Sequence, residues 1–173
     1  MTESKRIIAK VGFVYEAKTA ADSKVHLQLV AIDQANLNSD IVAVFKGNNL
    51  TDDDPEKIAQ AKMVLYAHTT VSQGVRKQVL RKIGKAPVYL NTDDLVFKYR
   101  RDQEHVDSLL WTSEILNDRS LRPPFSEPYW DIWKLGDKNW HSVSDEEGRV
   151  IEAQPGTIFS SESLLRLIGE RLR

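Results

Sequence analysis

The segment that decides the fold is residues 24–47, KVHLQLVAIDQANLNSDIVAVFKG. Apolar side chains recur at every second position before a polar loop at residues 34–40, as in Val25 and Leu27, and again after it, as in Ile41. A period of two on both sides of a turn-forming loop is typical of two antiparallel strands with one buried face. The segment therefore predicts a β-hairpin at the centre of a small β-based domain.

Further strands are predicted on either side of this hairpin. Residues 11–15 alternate in the same way, and residues 63–71, MVLYAHTTV, form an apolar run that suits a central strand. Two tryptophan-containing segments at 129–135 and 139–145 flank a loop with a glycine, which predicts a second hairpin. We expect all these strands to form one bent antiparallel sheet or a partly open small β-barrel, in an α+β fold.

The sequence also predicts a C-terminal helix and one or two short helices. Ser160 fits the N-cap of the C-terminal helix, and Leu164 and Ile168 follow at the spacing of one helix face. A short helix is expected to begin at Pro55, because Asp54 can accept hydrogen bonds from the first-turn amides and proline suits the first helical position.

Two segments keep alternative interpretations. Residues 75–83 fit either a helix face or a strand, and residues 102–125 are either an irregular insertion or a segment with a short helix.

The chain has 173 residues, which is enough for one domain with a substantial core and too few for two domains of ordinary size. We therefore expect residues 1–173 to form a single domain.

The composition excludes several classes of protein. Hydrophobic residues make up 41% of the chain and charged residues 28%, which indicates a globular rather than a disordered protein. The 24 basic and 25 acidic residues give a formal net charge of −1, so no overall field draws the protein to nucleic acid or to an anionic membrane. The sequence contains no cysteine, which excludes disulfides, thiolate metal ligands and a cysteine nucleophile, and fits a reducing compartment.

The sequence shows neither a signal-peptide pattern nor an apolar run long enough to span a bilayer. A cytoplasmic protein without a membrane partner is expected.

No assembled set of catalytic or metal-binding residues is visible in the sequence. The four histidines lack the spacing of a metal pair, and we interpret His26 and His68 as structural imidazoles inside strands. His68 and Thr70 give one H-x-T element, of which two-histidine phosphoesterases use two copies. Phosphate-binding glycine loops, dinucleotide fingerprints and nucleophile elbows are absent. We predict no catalytic residue, no metal and no cofactor.

Three groups of side chains are candidate contacts for a partner protein. Aromatic rings of the second hairpin would supply a large contact area at low entropic cost. Acidic residues before the first helix would steer a basic partner, and a polar lip in the first hairpin would add hydrogen bonds. The candidates are Tyr129, Trp130, Trp133 and Trp140, then Asp52, Asp53 and Asp54, and finally Asn36, Asn38 and Asp40. Each group also has a structural interpretation, as buried rings, a helix cap and an ordinary turn.

Five segments resemble bacterial proteins of, or near, the immunity protein 26 family. They are KVGFVYEAK at 10–18, VHLQLVAIDQANLNSDIVAVFK at 25–46, VLYAHTTV at 64–71, RKIGKAP at 81–87 and YWDIWKL at 129–135. Residues 102–125 lie outside the resemblance. Members of the family are small domains often encoded beside polymorphic toxins. The resemblance implies a bent sheet or partly open barrel with helices that binds a toxin and blocks it, without catalytic residues.

The leading hypothesis from the sequence is a non-enzymatic cytoplasmic binding protein, with a cognate toxin as its partner. The alternative is a nucleic-acid-binding or RNA-processing protein that uses a basic segment at residues 76–85. Its candidate residues are Arg76, Lys77, Arg81 and Lys82. A basic segment in a nearly neutral protein is more often a solvated face, so this alternative ranks second.

Overall fold

The computed structural model of the protein describes residues 8–46 and 54–171. The chain divides into two compact units. Unit 1 consists of Met1–Thr92 and Thr157–Arg173, and unit 2 consists of Asp93–Gly156. The expectation of a single domain for the whole chain stays a prediction.

The described residues form ten strands, five α-helices and one 3₁₀ helix at Arg119–Leu121. In chain order, the strands are β1 (Phe13–Lys18), β2 (Lys24–Asp33), β3 (Ser39–Lys46), β4 (Met63–Thr69), β5 (Arg81–Lys85), β6 (Val96–Arg101), β7 (Tyr129–Lys134), β8 (His141–Ser144), β9 (Gln154–Pro155) and β10 (Ile158–Phe159). The helices are α1 (Pro55–Ala59), α2 (Val71–Arg76), α3 (Gln103–Ile115), α4 (Asp145–Val150) and α5 (Ser161–Arg171). This content confirms the predicted α+β class with a C-terminal helix, although there are more helices than expected.

Unit 1 is built on a six-stranded sheet in the order β10-β4-β3-β2-β1-β5. Neighbouring strands are antiparallel except for β10 and β4, which are parallel. The register shifts within the pairs β1–β5, β2–β3 and β3–β4, and such bulges bend strands locally. The sheet has two edges, so it is not closed into a barrel.

The hairpin of β2 and β3 lies at the centre of this sheet, as its sequence predicts. Leu27 lies opposite Val44, and their face packs in the core with residues of α2 and α5 such as Val71 and Ile168. The other face is buried too: Gln28 is fully enclosed, and its Nε2 donates hydrogen bonds to the carbonyl oxygens of residues 86 and 87 at 3.1 and 3.0 Å. The expectation of one exposed face is therefore wrong, because chain segments cover both sides.

The helices of unit 1 begin where their capping residues predict. Asp54 is the N-cap of α1, and its Oδ1 accepts a hydrogen bond from the Glu56 amide at 3.0 Å. Ser160 Oγ accepts a hydrogen bond from the Ser163 amide at 3.1 Å before α5 begins. The two interpretations of residues 75–83 each hold for part of the segment, since α2 ends at Arg76 and β5 begins at Arg81.

Unit 2 is built on a four-stranded sheet in the order β8-β7-β6-β9, with β9 parallel to β6 and the other pairs antiparallel. The predicted second hairpin is present as β7 and β8. It belongs to this separate sheet and does not extend the sheet of unit 1, which corrects the expectation of one continuous sheet. Residues 102–125 contain the helix α3, capped by Asp102, so the helical interpretation of this segment is the one observed.

No helix in the described part of the chain combines the length and apolar character needed to cross a bilayer.

Candidate functional site

Two of the four aromatic residues that the sequence predicts as partner contacts are buried in unit 2. Trp133 is 2% exposed, and its ring stacks on that of Phe97 with the ring centroids 5.9 Å apart. Tyr129 is buried as well, and its ring centroid lies 5.7 Å from that of Phe125. The structure corrects the expectation for Tyr129 and Trp133, because rings in the interior offer no surface to a partner.

Trp130 lies against helix α4 and has a structural role. Gly148 of α4 approaches the Trp130 ring so closely that a Cβ atom at this position would overlap it. Trp130 Nε1 donates a hydrogen bond to Asp145 Oδ1 at 2.9 Å. The same carboxylate accepts hydrogen bonds from Arg100 and Arg149, which lower the pKa of Asp145 to about 2. These contacts hold α4 on the sheet.

Trp140 is exposed, and its ring lies near Arg101 of strand β6, which also lies near the ring of Tyr99. The guanidinium carbon of Arg101 is 4.7 Å from the ring centroid of Tyr99 and 5.9 Å from that of Trp140. Tyr99 is 37% exposed and Trp140 46% exposed, while the Arg101 side chain is 24% exposed. We call Tyr99, Arg101 and Trp140 the Arg101 surface.

A buried carboxylate fixes the position of Arg101. Arg101 Nε donates a hydrogen bond to Asp131 Oδ2 at 2.7 Å, and Ser142 Oγ donates one to Asp131 Oδ1 at 2.6 Å. The strand register places Tyr99, Asp131 and Ser142 opposite one another on β6, β7 and β8. Within the described part of the chain, the terminal nitrogens Nη1 and Nη2 of Arg101 donate to no acceptor.

This arrangement has the chemistry of a protein-binding hot spot. Arginine, tryptophan and tyrosine are the residues most enriched at such sites, and a guanidinium that is already fixed loses little freedom on binding. Trp140 is a candidate contact predicted from the sequence, whereas Tyr99 and Arg101 were not predicted. The alternation of Phe97, Tyr99 and Arg101 on β6 was a signal that they share a face, although their place beside Trp140 follows only from the pairing of β6 with β7 and of β7 with β8.

The polar lip of the first hairpin has the geometry of an ordinary turn. The backbone N–H of Asn36 donates a hydrogen bond to Asp33 Oδ1 at 3.0 Å. Asn38 adopts a φ of 46°, which asparagine tolerates in turns. Asp40 Oδ2 accepts a hydrogen bond from the Val71 amide at 2.9 Å, and burial raises the pKa of Asp40. Asp40 therefore anchors the start of α2, and a binding role for this loop stays a prediction.

Asp33, Ser39 and His68 form a buried polar cluster at one end of the sheet in unit 1. Ser39 Oγ and His68 Nδ1 are 2.8 Å apart. Burial lowers the pKa of His68 to about 4, although the charge of Asp33 acts in the opposite direction. The imidazole is therefore neutral at pH 7. Each of the three residues is at most 6% exposed, which suits a structural role better than contact with a substrate.

The acidic candidates are only partly within the described residues. Asp54 caps α1 through its hydrogen bond to the Glu56 amide, as the helix-capping interpretation predicts. Asp52 and Asp53 lie outside the described residues.

Three of the four basic candidates are engaged by side chains of unit 1. The partners are Glu162 for Lys77 (2.9 Å), Glu16 for Arg81 (3.0 Å) and the ring of Phe13 for Lys82 (3.3 Å to the centroid). Arg76 is exposed. Arg81 and Glu16 also line an open cavity of about 320 Å³. Because the two carboxylates offset nearby cationic charge, this segment presents a weaker field to phosphate than its sequence predicts.

Among residues 8–46 and 54–171, no group of three or more histidine, aspartate or glutamate side chains is arranged to hold a metal ion. Comparison of the chain with models of known protein families, with curated protein sequences and with solved structures gave no match.

Proposed function

We propose that this protein is a non-enzymatic cytoplasmic binding protein that neutralises a cognate bacterial toxin, and that the Arg101 surface contacts the toxin. The observation that carries the proposal is the guanidinium of Arg101, which donates a hydrogen bond to the buried Asp131 and lies within 6 Å of the ring centroids of two exposed aromatic residues, at 4.7 and 5.9 Å. Because the hydrogen bond to Asp131 already fixes the guanidinium, little side-chain freedom is lost when a partner binds, which favours tight protein contacts.

A second observation supports unit 2 as the part of the chain that binds the partner. Both exposed tryptophans of the chain belong to unit 2, and helix α3 carries further exposed apolar side chains. The exposed large apolar residues of the unit are Tyr99, Trp111, Ile115, Leu116, Trp140 and Val150. Exposed apolar side chains such as these are available for contact with another protein.

The toxin is proposed as the partner because of the resemblance to the immunity protein 26 family. The absence of cysteine suits a cytoplasmic location. A non-enzymatic role is proposed because the residues closest to a catalytic set, Asp33, Ser39 and His68, are buried.

Co-expression with the product of the adjacent gene tests the proposal. We expect the wild-type chain to restore growth of cells that express a toxic neighbour and to form a stable complex with it. Replacement of Trp140 by alanine should weaken the complex, whereas replacement of the exposed Lys134, which pairs with Asp94 at 2.8 Å, should leave it unchanged. The proposal fails if the adjacent gene product neither binds nor is neutralised.

The nucleic-acid alternative predicts a different result. Binding of a labelled oligonucleotide that weakens steeply with salt, and that requires Arg76 or Arg81, would support it and contradict the toxin-binding proposal. We expect no such binding, since three of the four cations are engaged within unit 1.

A further inference from the structure

The terminal nitrogens Nη1 and Nη2 of Arg101 are hydrogen-bond donors without an acceptor in the described part of the chain, on a guanidinium whose position is already fixed. The Nε atom is occupied by Asp131 at 2.7 Å, and Asp131 is itself held by Ser142. Nη1 and Nη2 donate to no acceptor in the described chain, although the Arg101 side chain is 24% exposed. One edge of the guanidinium is therefore fixed by the protein, and the other edge is available to a partner.

From this geometry we propose that Arg101 binds a carboxylate of the partner protein, on an aspartate or glutamate side chain that reaches the guanidinium beside Tyr99 and Trp140. The inference rests on the proposed function and names the chemistry of the group that the Arg101 surface receives. The ring centroids lie 4.7 and 5.9 Å from the guanidinium carbon, so both rings are close enough to contact a group that binds to Arg101.

A carboxylate fits this site better than other acceptors for two reasons. Its two coplanar oxygens match the paired N–H groups of a guanidinium edge, whereas a neutral amide offers one oxygen and no charge. A phosphate group carries −1.5 to −2 charges at pH 7, and Asp131 already places a negative charge on the far side of the guanidinium. Because Arg101 and Asp131 together carry no net charge, a singly charged carboxylate leaves less uncompensated negative charge at this site than a phosphate group does.

The inference is tested by NMR titration of the full-length, ¹⁵N-labelled chain without any partner protein. The probes are N-acetyl-glutamate methylamide, N-acetyl-glutamine methylamide as the neutral control, and inorganic phosphate. The signals followed are the Arg101 Nε–H and the Trp140 indole N–H. We expect a saturable shift of both signals with the glutamate probe, with a Kd on the order of tens of millimolar from one or two charge-assisted hydrogen bonds, and no saturable shift with the glutamine probe.

The Arg101→Lys variant keeps a cation beside Asp131 but lacks the planar donor pair, so it should lose the saturable shift of the Trp140 signal. Arg122→Lys, the same change at an exposed arginine of unit 2, is the matched control and should respond like the wild type. If Arg101→Lys does not fold, Trp140→Ala provides a second test, because loss of one ring should weaken the response of the Arg101 signal.

Equal shifts with the glutamine probe, a stronger response to phosphate, or an unchanged response of the Arg101→Lys variant would each overturn the inference. Because the titration contains no toxin, its failure is distinguishable from the failure of the proposed function. If the chain binds the toxin but not the glutamate probe, the proposed function stands and the proposal that Arg101 binds a carboxylate is wrong.

Discussion

Replacement of Arg101 by glutamine should leave the carboxylate of Asp131 buried in unit 2 without a counterion. The Asp131 side chain is 3% exposed, and only Ser142 would still donate a hydrogen bond to it. Removing one partner of a buried ion pair typically costs about 3–5 kcal/mol of folding free energy. Because Arg101 is itself partly exposed, we expect a loss near the lower end, about 3 kcal/mol.

An exposed ion pair of similar length provides the matched control. Lys134 Nζ and Asp94 Oδ1 are 2.8 Å apart in the same unit, with both side chains well exposed, so Lys134→Gln should cost less than about 1 kcal/mol. The double variant Arg101→Gln/Asp131→Asn contains no unpaired charge at the buried site. It should therefore recover a large part of the stability that Arg101→Gln loses.

Urea unfolding followed by tryptophan fluorescence measures these differences. All four tryptophans lie within Asp93–Gly156, so the fluorescence reports on unit 2. Equal losses for Arg101→Gln and Lys134→Gln would refute the conclusion that Asp131 needs a buried counterion. A double variant that is no more stable than Arg101→Gln alone would refute it as well.

Three further predictions concern the packing of unit 2. Trp133→Ala should lower the free energy of unfolding by about 3–5 kcal/mol, because the Trp133 ring is buried. Trp140→Ala should change it by less than about 1 kcal/mol, because the Trp140 ring is exposed. Urea titration measures both changes. Gly148→Ala should destabilise the unit by about 1–3 kcal/mol in the same assay, since the new Cβ atom would overlap Trp130. The pKa of Asp145 is lowered to about 2 from an ordinary value of 3.8. The stabilising contribution of the ionised carboxylate is therefore present above pH 3.8 and is lost as the pH falls toward 2. Asp145→Asn should flatten the pH dependence of the melting temperature in this range.

The central hairpin was predictable because its signals are local. The period-two pattern of residues 24–47 and the turn-forming loop indicate β2, β3 and their antiparallel pairing without reference to the rest of the chain. The burial of Gln28 on the second face was not predictable, since it depends on hydrogen bonds to residues 86 and 87, which are distant in sequence.

The Arg101 surface depends on contacts of the same long-range kind. Composition marked residues 129–140 as rich in tryptophan, but alternation alone cannot tell which of two alternating faces is covered. Trp130 proved to lie against α4, and Trp133 to lie in the core. The role of Arg101 requires that β6 pair with β7 and that Asp131 be buried between them. Neither fact is encoded in a short motif.

The affinity of the chain for the product of the gene adjacent to its own, measured by calorimetry for the wild type and for Trp140→Ala, tests the central claim most directly. If the Arg101 surface is the centre of the interface, loss of the Trp140 ring should cost at least about 2 kcal/mol, a roughly 30-fold increase in Kd, with the fold intact. Equal Kd values for the two proteins would contradict the claim that this surface binds the partner.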